Sequence, residues 1–168
     1  MEYLLVDGYN VINSWKDEFD LDKDTLEECR DKLLNIMSNY QGYKKINVIV
    51  VFDAYMVKGG KRKKEIFDKL KIIYTEENQT ADNYIERFVY KNSKENIIRV
   101  VTSDYLEQKT VLNSGGIRMS PRELKEEIAL TGKSIKEAAP DIIKKSNSIM
   151  SNVNHDLLQE LEKMRRGR

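Results

Sequence analysis

The fold of this chain is decided by the stretch Tyr3-Leu4-Leu5-Val6-Asp7-Gly8-Tyr9-Asn10, an apolar run that ends abruptly in an acid, a glycine and an amide. The run is too short for a stable helix and is typical of a strand buried on both faces. Asp7 stands where the strand stops, and Gly8 permits a sharp turn there. Because ligands of parallel α/β sheets bind beyond the carboxyl ends of the strands, we ask whether other strands also end in acids.

The composition indicates a globular domain, since 168 residues with 40% hydrophobic and 34% charged side chains can form one packed core. The net charge of +1 does not by itself indicate a partner. A single cysteine excludes an intramolecular disulfide and a cysteine-rich metal site. Met1 and Glu2 lead directly into the strand, and no apolar run approaches the roughly 20 residues of a membrane helix. We therefore expect a cytoplasmic protein with no signal peptide and no membrane partner.

Hydrophobic periodicity predicts further strands at 46–52, 70–74, 97–102 and 117–119, with helices between them. Asp24 and Glu27 are read as the capping box of the first long helix, which Gly42 ends. Thr80 and Ser120 are read as caps of later helices, the last of which ends near Leu130. The alternation favours a single α/β domain with a mainly parallel sheet over residues 1–133. Residues 134–168 are charged and helical in pattern, and we expect a C-terminal extension that packs on the domain or trails from it.

Acidic residues stand at the ends of several predicted strands. Asp7 and Asp53 each end a strand, and Asp104 follows a third strand after one residue. Asp82 lies in the first turn of the helix that precedes this third strand, so it can reach the same edge of the sheet. Carboxylates at one edge repel each other unless a cation neutralises them, and oxygen ligands suit Mg²⁺ or Mn²⁺. The joint pattern indicates a metal-dependent phosphoryl-transfer site, although each acid taken alone also suits a turn or a helix cap.

A glycine-rich basic segment follows the strand that ends in Asp53, so it can lie close to the proposed site. Its cations suit the phosphates of a nucleic acid, and the alternative is a solvated lysine-rich turn. The cations are Lys58, Lys61, Arg62, Lys63 and Lys64. A second basic group ends the chain and is either another nucleic-acid contact or a frayed terminus. It consists of Arg165, Arg166 and Arg168.

Several enzyme classes are excluded because their motifs are missing. The sequence contains no phosphate-binding P-loop, no dinucleotide-binding glycine fingerprint and no nucleophile elbow. A phosphatase of the haloacid-dehalogenase type needs a second aspartate two residues after the first, and Tyr9 occupies that position.

Four stretches of the chain resemble, in order, the motifs of NYN domains, a branch of the PIN-like nuclease fold. These stretches are Val6–Ile12, Val51–Ala54, Thr80–Glu86 and Val101–Asp104. Within that branch the chain resembles the YacP-like group of small bacterial proteins over nearly its whole length. The resemblance implies a PIN-like three-layer sandwich with a central, mainly parallel sheet and a nuclease domain over residues 1–133.

The resemblance also implies a divalent-metal site for RNA cleavage. Asp7, Asp82 and Asp104 would hold Mg²⁺ or Mn²⁺, directly or through water. Asn10 and Ser103 would position ligands or substrate. The further acids at this edge are Asp53 and Glu86.

The activity implied by the resemblance is endoribonucleolytic cleavage of mRNA in the A site of the translating ribosome, by a cytoplasmic monomer that has RNA and the ribosome as partners. A metal-activated water would leave a 5′ phosphate and a 3′ hydroxyl. The chain has one histidine, His155, and so lacks the histidine pair that commonly serves a route through a cyclic phosphate. Two alternatives stay open: a non-catalytic RNA- or ribosome-binding module, and a small-molecule phosphohydrolase.

Overall fold

The computed structural model describes residues 1–53, 63–67 and 69–138. The strands are Glu2–Asp7 (β1), Asn47–Phe52 (β2), Lys63–Phe67 (β3), Leu70–Tyr74 (β4), Ile97–Val101 (β5) and Ile117–Met119 (β6). The helices are Gly8–Ser14 (α1), Leu26–Lys44 (α2), Ala81–Asn92 (α3), Tyr105–Asn113 (α4) and Pro121–Ala138 (α5).

The strands of the described residues form one sheet in the order β3-β4-β2-β1-β5-β6. Five of them run parallel, and β3 at one edge runs antiparallel to β4. This confirms the predicted α/β class with a mainly parallel sheet. Strand β3 corrects the expectation of a loop at Lys63 and Lys64, because both residues pair with β4. A charge-rich sequence is tolerated in a strand at the edge of a sheet.

Helices cover both faces of the sheet, which gives the predicted three-layer sandwich. Leu4 of β1 packs in a core that includes Leu33 of α2 and Leu124 of α5. Leu5, the next residue of β1, packs in a second core with Ile85 of α3. Successive side chains of a strand point to opposite faces, so a strand between two helical layers is apolar throughout. This explains why the opening stretch shows no polar alternation.

Helix α1 begins at Gly8, directly after β1 and with no intervening loop. This agrees with the sharp turn predicted at Gly8. A Cβ atom on Gly8 would lie 2.2 Å from Cε1 of the Phe52 ring, far inside van der Waals contact. Glycine is therefore required here by the close approach of the Phe52 ring.

The boundaries of α2 differ from the prediction at both ends. The capping box is formed by Thr25 and Glu28, one residue later than predicted: each backbone N–H donates to the other residue's side chain. The helix continues through Gly42 and ends at Lys44, followed by Lys45 in the left-handed conformation. A single glycine does not by itself stop a helix, because its cost in a helix interior is only about 1 kcal/mol relative to alanine.

The predicted caps of the later helices are confirmed. Thr80 accepts the backbone N–H of Asn83, and Ser120 exchanges hydrogen bonds with Glu123. Helix α5 extends to Ala138, so the predicted end near Leu130 is wrong.

The chain divides into two compact units, Met1–Ile128 and Ala129–Arg168. The predicted extension at 134–168 stays a prediction, and its part from residue 139 onward lies outside the described residues. No helix in the described part of the chain has the length and apolar character needed to cross a membrane.

Candidate active site

The carboxyl edge of the sheet gathers the ends of β1, β2 and β5 around Asp7. In the strand register Asp7 is level with Val51 of β2, and its neighbour Val6 is level with Val101 of β5. The residues that follow these two neighbouring strands therefore emerge beside Asp7. The helices that start at this edge, α3 and α4, also direct their first turns toward it.

Three carboxylates meet at this edge: Asp7, Asp82 and Glu107 each have an oxygen within 4.8 Å of the others. Asp7 and Glu107 are buried, with 8% and 5% exposure, while Asp82 is exposed at the start of α3. Three converging carboxylates form a site that suits a hard divalent cation.

Burial and the close approach of the carboxylates raise the pKa values of Asp7 and Glu107. Burial, and after it the charges of Asp82 and Asp53, raises the pKa of Asp7 to about 7. Burial, and after it the charge of Asp7, raises the pKa of Glu107 to about 9. A cation in the cluster would oppose both effects, because it favours the charged form of each acid.

Thr102 fixes the orientation of Glu107. The buried Thr102 hydroxyl donates a 2.7 Å hydrogen bond to Glu107 Oε2, and the same hydroxyl accepts the backbone N–H of Asp104 at 3.1 Å. Glu107 Oε1 is buried and has no hydrogen-bond partner among the described residues. A buried oxygen without a partner carries a desolvation cost, which either a proton or a bound cation would remove.

Two predicted site residues hold the loops of this edge in place. Asn10 Oδ1 accepts the backbone N–H of Ser103 at 2.8 Å, which connects α1 to the turn after β5. Asp53 Oδ1 accepts the backbone N–H of Ala81 at 2.5 Å, which fixes the start of α3 next to Asp82. Burial raises the pKa of Asp53, and the hydrogen bond from Ala81 opposes that shift.

The structure brings together two of the three predicted metal ligands, Asp7 and Asp82. Asp104 is instead the N-cap of α4, since its Oδ1 accepts the backbone N–H groups of Leu106 and Glu107. It is not one of the three acids within 4.8 Å of one another. A contact between Asp104 and a metal through water stays a prediction.

Other predicted site residues lie apart from this cluster or outside the described chain. Glu86 is exposed on α3, one turn after Asp82. Lys63 and Lys64 lie in β3, at the far edge of the sheet from β5 and β6. Lys58, Lys61 and Arg62 lie outside the described residues, as do the terminal arginines and His155.

The sequence analysis did not predict Glu107 as a member of the cluster. The available signal was its position in the first turn of a helix that begins at the carboxyl edge. Asp82 has the equivalent position in α3, and that position was the reason for including Asp82.

A three-layer α/β sandwich with carboxylates at the carboxyl edge of its mainly parallel sheet agrees with the architecture of PIN-like domains. The chain belongs to the YacP-like NYN domain family, whose model matches residues 4–166. NYN domains are related to PIN-like nucleases, which implies an RNase-type function, and such nucleases generally use divalent metals.

The relatives support the same assignment. The chain is 39% identical over 168 residues to "Uncharacterized protein YacP" of Bacillus subtilis (strain 168), covering 99% of this chain and 98% of that protein. It is similar to the crystal structure of Rae1 (YacP) from Bacillus subtilis, with a TM-score of 0.80 and 39% identity over 99% of this chain and 96% of that one. A tryptophan-to-leucine mutant of Rae1 matches with a TM-score of 0.71 and 38% identity, over 83% of this chain and 82% of that one.

Proposed function

We propose that this protein is a divalent-metal-dependent endoribonuclease that cleaves mRNA in the A site of the translating ribosome. The observation that carries the catalytic part is the convergence of Asp7, Asp82 and Glu107 within 4.8 Å. The ribosomal part is supported by the resemblance to the YacP-like group. The proposed setting is the cytoplasm, and the proposed active form is a monomer.

The donor set of the cluster fits Mg²⁺ or Mn²⁺. Asp7, Asp82 and Glu107 offer only carboxylate oxygens, the ligands that these ions prefer. The buried Glu107 Oε1 has no other partner among the described residues, so it is available to a cation. When bound, such an ion would supply an activated water and positive charge next to the phosphodiester.

The residues around the cluster keep the three carboxylates in a fixed arrangement. Thr102 holds Glu107 through Oε2, and one oxygen of this carboxylate lies within 4.8 Å of Asp7 and Asp82. Asp53 holds the first residue of α3, and Asn10 holds the turn that leads into α4. Preorganisation of this kind keeps the ligands in place during the reaction.

The proposed products carry a 5′ phosphate and a 3′ hydroxyl. A cyclic-phosphate route commonly uses a pair of histidines as general acid and base, and the chain contains only His155. Ser103 is proposed to position substrate from its exposed place after β5. The basic segment after Asp53 is proposed to contact RNA phosphates through Lys58, Lys61, Arg62, Lys63 and Lys64.

The decisive experiment compares wild type with Asp7→Asn and Glu107→Gln on one mRNA, either translated or untranslated, with the ends mapped. We expect defined cuts by wild type on the translated mRNA only, and a loss of about 100-fold or more in both variants. Asp31→Asn, an exposed acid on α2, is the matched control and should cleave normally. Unchanged cleavage by Asp7→Asn would exclude this site.

The role of Asp104 can be tested separately, because asparagine caps a helix about as well as aspartate. Asp104→Asn should therefore leave α4 intact. If Asp104 holds a metal through water, the variant should need more Mn²⁺ for half-maximal cleavage. An unchanged Mn²⁺ requirement would limit Asp104 to its capping role.

A further inference from the structure

The first turn of α4 exposes two large apolar side chains at the edge of the sheet that holds the carboxylate cluster. Tyr105 is 74% exposed and Leu106 is 72% exposed, whereas the following residue, Glu107, is 5% exposed. Single exposed apolar side chains are ordinary on protein surfaces, but these two are adjacent in sequence and stand directly before a cluster residue. The position of this pair therefore suggests a contact with whatever the cluster acts on.

Tyr105 is the first residue of α4, so it lies at the edge of the sheet where the cluster is. Its side chain leaves the helix about 200° away from that of Glu107, so the ring faces solvent while the carboxylate faces the cluster. The backbone before Tyr105 is also fixed, since Asn10 binds the N–H of Ser103 and Asp104 caps α4. The Tyr105 ring is thus exposed at the edge of the sheet that holds the cluster, on a backbone that these hydrogen bonds keep in place. The unpartnered Glu107 Oε1 identifies that cluster independently as a ligand site.

Two exposed cations continue the surface away from the cluster. Lys109 follows Tyr105 by four residues, so both project from the same face of α4. Arg118 of β6 donates from Nη1 to Gln108 Oε1 at 3.5 Å. Gln108 in turn donates from Nε2 to the carbonyl oxygen of Thr102 at 2.7 Å, which connects Arg118 to the same end of α4.

We propose that Tyr105, Lys109 and Arg118 form a track for single-stranded RNA beside the carboxylates. The Tyr105 ring stacks on a base next to the phosphate to be cleaved, and the two cations contact phosphates of the same strand. Positively charged side chains are favourable here because the three carboxylates of the cluster repel the phosphates of the RNA. An unpaired strand is required, since bases in a duplex are not free to stack on a side chain. This inference rests on the proposed function and specifies where its substrate lies.

The test measures binding of a fluorescent single-stranded RNA by anisotropy in EDTA, where metal-dependent cleavage is prevented. Tyr105→Ala should raise Kd by about 5- to 100-fold without changing its dependence on salt. Tyr105→Phe keeps the ring and should bind like wild type. Lys109→Gln should instead reduce the slope of log Kd against log salt by about 0.7 for one lost phosphate contact.

Matched controls are taken from the edge of the sheet where the parallel strands begin, opposite the carboxyl edge. Tyr43→Ala removes a partly exposed tyrosine near the end of α2, and Lys94→Gln removes an exposed lysine in the turn between α3 and β5. Both should bind RNA like wild type, and thermal melts should show that all variants are folded. The inference is overturned if Tyr105→Ala binds like wild type, if Tyr43→Ala loses as much affinity, or if wild type binds no single-stranded RNA at low salt. It is also overturned if Tyr105→Ala weakens only ribosome binding, because the surface would then dock another partner.

The failure of this inference can be distinguished from failure of the proposed function. If wild type cleaves RNA and Tyr105→Ala binds normally, only the RNA track is wrong. If wild type cleaves no RNA but Tyr105→Ala loses RNA affinity as expected, the track stands and the nuclease activity is wrong.

Discussion

The hydroxyl of Thr102 donates a 2.7 Å hydrogen bond to Oε2 of Glu107, and Oε1 of the same carboxylate is left without a hydrogen-bond partner among the described residues. The two residues lie five positions apart, on either side of the turn between β5 and α4. The bond fixes one oxygen of Glu107, whose carboxylate lies in the cluster with Asp7 and Asp82. Thr102 is therefore a positioning residue for the cluster.

Thr102→Val tests this relationship, because it keeps the shape of the side chain and removes the hydroxyl. We expect a 10- to 100-fold loss of Mn²⁺ affinity or of kcat/KM, roughly the cost of removing a residue that orients a metal ligand. Thr102→Ser keeps the hydroxyl and should retain most of both. The measurements are Mn²⁺ titration followed by thermal stability, and initial rates of RNA cleavage. Equal losses in the valine and serine variants would contradict the role of the hydroxyl.

The stability of the metal-free protein should fall as the pH rises. Folding raises the pKa of Asp7 from 3.8 to about 7 and that of Glu107 from 4.5 to about 9. The folded state therefore binds protons more tightly than the unfolded state, and this stabilisation is lost as the pH passes through about 7 and then about 9. Melts in EDTA from pH 5 to pH 9 should show a declining Tm. Added Mn²⁺ should stabilise more at high pH, because the cation competes with protons. A flat profile in EDTA would contradict the buried, crowded carboxylates.

Asp7→Asn should stabilise the metal-free protein while it removes the response to metal. The substitution removes a buried charge that Asp82 and Asp53 disfavour. At pH 8 in EDTA we expect Tm to rise by about 2–6 °C, and the stabilisation by Mn²⁺ should disappear. Asp31→Asn removes an exposed acid of α2 and should change neither quantity. A variant that is less stable than wild type in EDTA would argue against carboxylate repulsion at Asp7.

Asp53 should affect the site by fixing the start of α3, and this role should not require a negative charge. Its Oδ1 accepts the N–H of Ala81, the residue before Asp82. Asp53→Ala should cost about 1 kcal/mol of folding free energy, as the loss of a cap does, and should lower the cleavage rate by displacing Asp82. Asp53→Asn keeps an acceptor oxygen and should retain both properties. Chemical denaturation and cleavage rates measure these effects. Loss of cleavage in the asparagine variant with unchanged stability would instead indicate that the charge itself is needed.

Gly8→Ala should destabilise the protein because its Cβ would meet the Phe52 ring at 2.2 Å. The expected cost is about 1–3 kcal/mol, as for other overpacked sites. Phe52→Leu should restore part of this loss when it is combined with Gly8→Ala, which a double-mutant cycle measures by denaturation. Gly42→Ala is the control, since nothing lies within 4 Å of its added Cβ in α2 and the change should stabilise by about 0.5–1 kcal/mol. Equal effects at the two glycines would reject the ring contact as the cause.

Much of the fold is predictable from local patterns. The stretch ending in Asp7 is identified as a buried strand by its length and apolar character, and Thr80 identifies the start of α3 by its capping side chain. Strand β3 is not predictable in this way, because its charged residues Lys63 and Lys64 resemble a loop and only pairing with β4 makes them a strand. Local sequence likewise placed the cap of α2 at Asp24 in place of Thr25, since two adjacent residues are both good caps.

The sequence by itself determined that Asp7 and Asp82 share an edge, because strand ends and helix starts in a parallel α/β sheet are fixed by chain order. Only the tertiary structure showed that Glu107 joins the carboxylate cluster while Asp104 caps α4. Both are acids at the beginning of α4, three residues apart, and both suit a cap or a ligand. The packing of α4 on the sheet turns Glu107 inward to the cluster and Thr102, while Asp104 stays at the surface and accepts the free N–H groups of the helix. The stretch that ends in Asp7 therefore predicts where the candidate site lies, and the orientation of α4 adds Glu107 to it.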